Sequence, residues 1–170
     1  MEKISIGIDP GKSGFITIIA VDGSIEFNPI PLIKKEIDIY ALSSIFRAYQ
    51  FSKVHIVVEN VHAMFGSSAK GTFSFGFTCG IIEGVLSTLL IPYTKVAPKK
   101  WQKQMWEGIP LIKKPSTSGK TQVTDTKAMS LLAAKRLFPD VDLRATERST
   151  IPHDGKIDSL LLAEYCRRNF

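Results

Sequence analysis

A short apolar run that ends on an acidic residue and a turn lies near the start of the chain, in ISIGIDPGKSG from Ile4 to Gly14. Isoleucine at every second position is typical of a β-strand, and Pro10–Gly11 ends that strand directly after Asp9. The alternation resumes at Ile16, and Asp22–Gly23 is typical of a type I′ hairpin turn. The segment predicts a three-stranded antiparallel meander with a carboxylate at the end of its first strand.

A second acidic residue ends a second apolar run. The residues from Val54 to Val58 are mostly β-branched and lead directly to Glu59, which indicates a strand covered on both faces. Apolar residues at helical spacing between Ile37 and Phe46 predict a helix before it. A strand, a helix and a second strand in this order favour a crossover with parallel strands, which would bring Glu59 to the same sheet end as Asp9.

The segment HDGKIDSLLLAEY supplies two further acids, Asp154 and Asp158, four residues apart and therefore on one face if both are helical. Asp154 has two interpretations, as an N-cap or first-turn acid and as a metal ligand. His153 beside it has the chemistry of a neutral ligand or a general base, although a histidine at a helix start is often structural. Asp158 begins a leucine-rich face, where an unpaired charge is costly, so it requires a cation or a strong partner.

The four acids would repel one another if they met without a cation. An oxygen-only set formed by Asp9, Glu59, Asp154 and Asp158 suits Mg²⁺, with Mn²⁺ as a substitute. Two such ions sharing a carboxylate would activate water and stabilise the leaving oxygen of a phosphodiester. We therefore expect a nuclease site with two ions.

Positive charge is concentrated in one segment of the chain. The formal net charge is +6, and the segment from Lys95 to Lys127 holds eight lysines against two acids, so the rest is neutral overall. Such concentration indicates a polyanion surface rather than a generally solvated face. The candidate DNA-binding lysines are Lys70, Lys99, Lys100, Lys103, Lys113, Lys114, Lys120 and Lys127.

The residues from Lys113 to Lys120 have the composition of a mobile basic loop, and Thr124 or Thr126 is expected to cap the helix after it. Within this region, Ser118–Thr121 resembles the end of a phosphate-binding P-loop. The earlier glycine of that motif is absent and no strand precedes it, so we expect no nucleotide cofactor.

Length and composition indicate the number of domains and the cellular compartment. A chain of 170 residues with 44% hydrophobic residues suits one domain spanning 1–170. Its two cysteines, Cys79 and Cys166, have no metal-ligand spacing and are expected to be free thiols in a reducing cytoplasm. No apolar run approaches the roughly 18 residues of a membrane helix, so no membrane association is expected.

Taken together, these motifs resemble RuvC-like Holliday junction resolvases of the ribonuclease H-like superfamily. GIDPGKSG resembles the first-strand acid motif, VVEN the second, Val96–Ala97–Pro98 with its lysines the basic segment, and HDGKIDSLLLAEY the last acidic helix, in a form closer to phage members. The resemblance implies an α/β fold, a ribonuclease H-like mixed five-stranded sheet flanked by helices. It also implies a magnesium-dependent endonuclease that resolves four-way DNA junctions by paired symmetric nicks.

The resemblance also implies residue roles. Asp9, Glu59 and Asp158 match the metal-binding acids. Bacterial members commonly space the last pair of acids three apart, which selects Gly155 here, so Asp154 and His153 compete for the fourth position. In bacterial relatives an aromatic residue in the loop after the second acid opens the junction, and the candidates there are His62 and Phe65, of which Phe65 is preferred. Lys127 corresponds to a residue near the active site.

Paired nicks require two active sites, and each chain supplies one acid cluster, so we expect a two-fold homodimer. The helix from Thr72 to Leu90 is the expected interface. Its glycines Gly76, Gly80 and Gly84 recur every four residues and permit a close approach, either to a second chain or to this chain's own sheet.

Other function classes fit less of the sequence. An actin-like or sugar-kinase ATPase also begins with a strand, an acid and a glycine turn, but it needs a second phosphate loop and a longer chain. A non-catalytic DNA-binding module would leave the acids unexplained. A general ribonuclease H or a transposase-type nuclease uses the same acids, so other branched DNA and RNA–DNA hybrids stay open as substrates.

Overall fold

The computed structural model describes residues 3–60 and 68–170. Its strands are β1 (Ile4–Ile8), β2 (Phe15–Ile19), β3 (Ile25–Pro29), β4 (Leu32–Ile33), β5 (Glu36–Ile37), β6 (Val54–Glu59), β7 (Tyr93–Val96), β8 (Lys113–Pro115) and β9 (Gln122–Thr124). Its helices are α1 (Ile39–Arg47), α2 (Ala69–Thr88), α3 (Pro98–Met105), α4 (Thr126–Leu137) and α5 (Asp154–Asn169).

A five-stranded mixed sheet forms the centre, in the order β3-β2-β1-β6-β7. The first three strands pair antiparallel as a meander, whereas β6 and β7 join parallel to β1. The α/β class, the mixed five-stranded sheet and the parallel pairing of the two acid-bearing strands are therefore confirmed.

Two apolar layers cover the two faces of the sheet. On one face, Ile6 and Ile56 pack with Phe46 of α1 and Leu86 of α2. On the other face, Val57 packs with side chains of α3, α4 and α5. Because side chains alternate along a strand, the face covered by α1 and α2 is separate from the face that carries α5.

Helix α5 lies directly on β1 because Gly7 has no side chain. A Cβ at Gly7 would lie 2.2 Å from both the Ala163 nitrogen and the Ser159 carbonyl oxygen, which is closer than atoms can approach. The contact is reinforced by a buried hydrogen bond of 2.7 Å between Thr17 Oγ1 and Ser159 Oγ. This close packing fixes the start of α5 at one end of the sheet.

Two expected turns and loops take other forms. Gly23 has a φ of 85° but Asp22 is not among the residues with positive φ, so the turn is not type I′. Asp22 instead accepts hydrogen bonds from the Ser24 backbone and hydroxyl, which favour a negative φ at Asp22. The expected mobile loop from Lys113 to Lys120 is part of a hairpin in which β8 and β9 pair antiparallel.

Helix boundaries also differ in detail. The first helix begins at Ile39, because Asp38 caps it and Ile37 lies in β5. Neither Thr124 nor Thr126 caps α4, since the Asp125 side chain accepts a hydrogen bond from Ala128 N at 3.3 Å.

The long helix expected from Thr72 to Leu90 runs from Ala69 to Thr88. In the described ranges, no helix has the length and hydrophobicity needed to cross a membrane.

Candidate active site

The parallel pairing of β1 and β6 places Asp9 beside Glu59. Ile8 pairs with Val58, so the next residues of the two strands are neighbours at the strand spacing of about 4.8 Å. Side chains alternate along a strand, and Gly7 and Val57 face the α5 side. The carboxylates of Asp9 and Glu59 therefore both lie on the face that α5 covers.

Helix α5 brings Asp158 to the same place, because its first turn, which directly precedes Asp158, packs against Asp9. Gly155 in this turn is so close to Asp9 that an added Cβ would lie 2.8 Å from Asp9 Oδ2 and 2.9 Å from the Ser13 carbonyl oxygen. Gly155 therefore leaves room for Asp9, which any larger side chain at this position would displace.

Three of the acids, Asp9, Glu59 and Asp158, are partly buried and influence one another. Burial raises the pKa of Asp9 to about 6 and the pKa values of Glu59 and Asp158 to about 7 each. After burial, the negative charge of Asp9 is a further cause of the raised pKa of both Glu59 and Asp158. Within the described residues, none of the three carboxylates forms a salt bridge. The structure thus brings together three of the four acids named from the sequence, with no cation of the described chain paired to them.

Asp154, the fourth acid, is half-exposed and forms an ion pair with Lys127 of α4. The N-cap position of α5 belongs to His153, so the N-cap interpretation of Asp154 is wrong and its first-turn placement is correct. The bond to Asp154 raises the pKa of the Lys127 ammonium, and Asp158 contributes in the same direction. Lys127 is therefore a cation at the rim of the acidic cluster.

His153 also lies close enough to Asp9 to influence its carboxyl group. Its ring packs against Phe15 with centroids 5.0 Å apart, and its Nδ1 is buried without a partner among the described residues. The influence of His153 lowers the pKa of Asp9 and that of Asp154 raises it. Both candidates for the fourth position therefore border Asp9.

The carboxylates are not yet gathered around a common point. Across residues 3–60 and 68–170, no three His, Cys, Asp or Glu side chains are placed to hold one metal ion together. The donor set consists of carboxylate oxygens at a shared edge, but its members would have to turn towards a cation to bind it.

Two neighbours of the acids were not identified from the sequence. Trp101 Nε1 donates a hydrogen bond of 3.0 Å to Glu59 Oε1. The Ser130 side chain lines the same cleft as Asp158 and lowers the pKa of its carboxyl group. The signal for Trp101 was its position as a large aromatic residue inside a helix otherwise rich in lysine.

Three of the candidate DNA-binding lysines lie on a helix that begins at this edge. Strand β7 runs parallel to β6 and ends at Val96 opposite Glu59, so α3 begins at the acidic end of the sheet. The helix exposes Lys99, Lys100 and Lys103.

The hairpin formed by β8 and β9 leads into α4. It exposes Lys113 and Lys120, whereas Lys114 forms a salt bridge of 3.1 Å with Asp125. Lys70 is exposed in the first turn of α2. His62 and Phe65 lie outside the described residues.

Comparison with known proteins gives the fold. No protein-family model matches the chain, and no curated protein gives a significant sequence match. The solved structures that are similar to it include two RuvC structures. One is Thermus thermophilus RuvC in complex with Holliday junction substrate, with a TM-score of 0.61 and 14% identity, covering 98% of this chain and 96% of that chain. The other is a Thermus thermophilus RuvC structure, with a TM-score of 0.56 and 16% identity, covering 94% and 90% respectively.

These similarities extend over nearly the whole of each chain. At such low identity they establish a RuvC-like, ribonuclease H-like fold, which confirms the fold expected from the sequence motifs.

Proposed function

We propose that this protein is a metal-dependent endonuclease that acts on branched DNA, with the four-way junction as its substrate. The observation that carries this proposal is that Asp9, Glu59 and Asp158 are partly buried at one sheet edge without a salt bridge in the described chain. Withdrawing ionised carboxylates from water without a counterion costs free energy, and the raised pKa values of all three express that cost. A bound divalent cation would remove it.

The donor chemistry fits Mg²⁺ or Mn²⁺, because both ions prefer carboxylate oxygens. Asp9, Glu59 and Asp158 would hold the metal, two ions are proposed, and Asp154 or His153 would complete the site. When bound, the ions would supply Lewis acidity that activates water and stabilises the leaving oxygen of a phosphodiester.

Lys127 is proposed to act on the phosphate. Its ammonium group pairs with half-exposed Asp154 at the rim of the cluster and influences Asp158. A DNA phosphate at this rim would compete with Asp154 for the ammonium, which would then stabilise negative charge on the phosphate during cleavage.

The basic surface supports DNA as the polyanion. The lysines of α3 and of the β8–β9 hairpin belong to elements that begin or end near the acidic edge. A DNA backbone held by these lysines would be brought to the carboxylates, which alone would repel it. The likeness to a RuvC structure with bound Holliday junction supports the four-way junction in particular.

The exposed side of α2 supports a two-fold homodimer. A Cβ at Gly76, Gly80 or Gly84 would meet no described atom within 4 Å, so these glycines are not needed for packing on the chain's own sheet. Phe73 and Phe77 on this helix are 76% and 53% exposed, and their rings stack with centroids 6.3 Å apart. A second chain packed here would cover both rings and supply the second active site for paired nicks.

The direct test is cleavage of a synthetic four-way junction beside a matched duplex, a flap and an RNA–DNA hybrid, each with Mg²⁺, with Mn²⁺ and with EDTA. We expect metal-dependent paired nicks in the junction and little cleavage of the matched duplex. If the protein prefers a flap or a hybrid, the proposal that the junction is its substrate is wrong, whereas the proposal that it is a nuclease stands. No metal-dependent cleavage of any substrate would overturn the proposed function.

A further inference from the structure

Trp101 is the neutral side chain that anchors Glu59. Its indole Nε1–H donates to Glu59 Oε1 at 3.0 Å, and the Trp101 side chain is 0% exposed. A buried hydrogen bond to a carboxylate at this distance restrains the orientation of the carboxylate plane.

The local fold sets this contact. Val96 of β7 pairs with Glu59 of β6, and α3 follows immediately with Pro98 in its first turn. Trp101 and Met105, one helical turn apart, form the buried face of α3, while its lysines are exposed. The indole is therefore held by core packing on the sheet that also carries Glu59.

The choice of side chain is informative. Tryptophan is a donor only, carries no charge and does not titrate, so it restrains Glu59 without neutralising it. A lysine or arginine at the same place would compensate the carboxylate charge and compete with a cation for it. The arrangement keeps the charge of Glu59 available while limiting its movement.

We propose that Trp101 is a positioning residue for metal binding: its N–H holds Glu59 Oε1 and leaves Oε2 to ligate a divalent cation together with Asp9 and Asp158. The inference rests on the proposed function, because metal binding by Glu59 is itself part of that function. It assigns to Trp101 a specific effect on metal affinity, separate from its contribution to the core.

The second tryptophan provides a matched control. The Trp106 ring packs edge-on against Trp101 with centroids 6.5 Å apart, and its Nε1 is buried without a hydrogen-bond partner in the described part of the chain. Trp101→Phe and Trp106→Phe remove the same atoms from neighbouring rings of one cluster. Only the first removes a donor from Glu59.

The test measures Mn²⁺ binding to the DNA-free protein by electron paramagnetic resonance, which detects free Mn²⁺, with thermal denaturation in EDTA to confirm folding. Loss of a partner that orients a metal ligand typically weakens metal binding about 10- to 100-fold. We expect a loss of this size for Trp101→Phe and near wild-type binding for Trp106→Phe. Equal binding by the two variants would overturn the proposal.

A second variant separates the hydrogen bond from packing. Placing 3-benzothienylalanine at position 101 replaces the N–H by sulfur and keeps the ring shape, so it should weaken Mn²⁺ binding as Trp101→Phe does. Wild-type affinity in this variant would overturn the role of the N–H. If Glu59→Gln weakens binding and neither change at Trp101 does, only the positioning role fails. If the wild-type protein binds no Mn²⁺, the proposed function fails as well.

Discussion

Replacing Asp158 by asparagine should stabilise the metal-free protein. The substitution keeps the size of the side chain and removes a charge that burial and the neighbouring Asp9 disfavour. The pKa of Asp158 is raised from 3.8 to about 7, and each unit corresponds to about 1.4 kcal/mol, which gives an upper limit of about 4 kcal/mol above pH 7. Because the side chain keeps some contact with water and its titration is coupled to that of Asp9, we expect about 1–3 kcal/mol.

The pH dependence has a defined sign. A carboxyl group with a raised pKa binds more protons in the folded than in the unfolded protein, so its ionisation lowers stability as pH rises from about 4 to about 7. The gain in the free energy of unfolding from Asp158→Asn should therefore be small at pH 4 and reach its full value at pH 8.

Urea denaturation in EDTA at both pH values measures this effect. The exposed Asp140 provides a control, because Asp140→Asn removes the same charge from a solvated position. A decrease in stability for Asp158→Asn at pH 8, or an equal gain at both pH values, would refute the argument that a buried charge at this site opposes folding.

Three further predictions concern DNA binding and cleavage. Lys127→Met should lower the single-turnover cleavage rate about 100-fold, which is typical for the loss of one group that stabilises transition-state charge. Its effect on junction affinity should be much smaller. An equal loss of cleavage rate and of junction affinity would indicate that Lys127 only binds DNA. Neutralising Lys113 and Lys120 should reduce the slope of log affinity against log salt concentration by about 0.9 for each lysine–phosphate ion pair that is removed. Neutralising Lys114 as well should reduce the slope by a smaller amount, because Lys114 is paired with Asp125. Gly80→Leu should yield a folded monomer in sedimentation velocity that makes single rather than paired nicks, and a wild-type monomer that makes paired cuts without dimerising on DNA would contradict the dimer.

Most of the fold was predictable because strand periodicity and the acids at the strand ends agree. The alternation around Ile6 and the β-branched run before Glu59 identified both strands, and the helix between them required parallel pairing. The β8–β9 hairpin was missed because its strands are three residues long and polar, which leaves no alternation to detect.

The candidate site was predictable to the extent that topology determines it. Asp9 and Glu59 meet because their strands are neighbours, and Asp158 joins them because Gly7 admits α5. The Glu59–Trp101 bond and the Asp154–Lys127 pair depend on how α3 and α4 are placed against their neighbours. The sequence indicates that Trp101 lies on the buried side of a lysine-rich helix, but it does not indicate which polar group the indole or the Lys127 ammonium meets. The roles of all these residues, the metal and the dimer stay predictions.

The central claim is that the partly buried acids catalyse metal-dependent cleavage while other residues bind DNA. The most direct measurement is single-turnover cleavage of a four-way junction in Mg²⁺ by the wild-type protein and by Asp9→Asn, with junction affinity measured at the same salt concentration. We predict that Asp9→Asn binds the junction as tightly as the wild-type protein and does not cut it. Cleavage by Asp9→Asn at the wild-type rate would contradict the account.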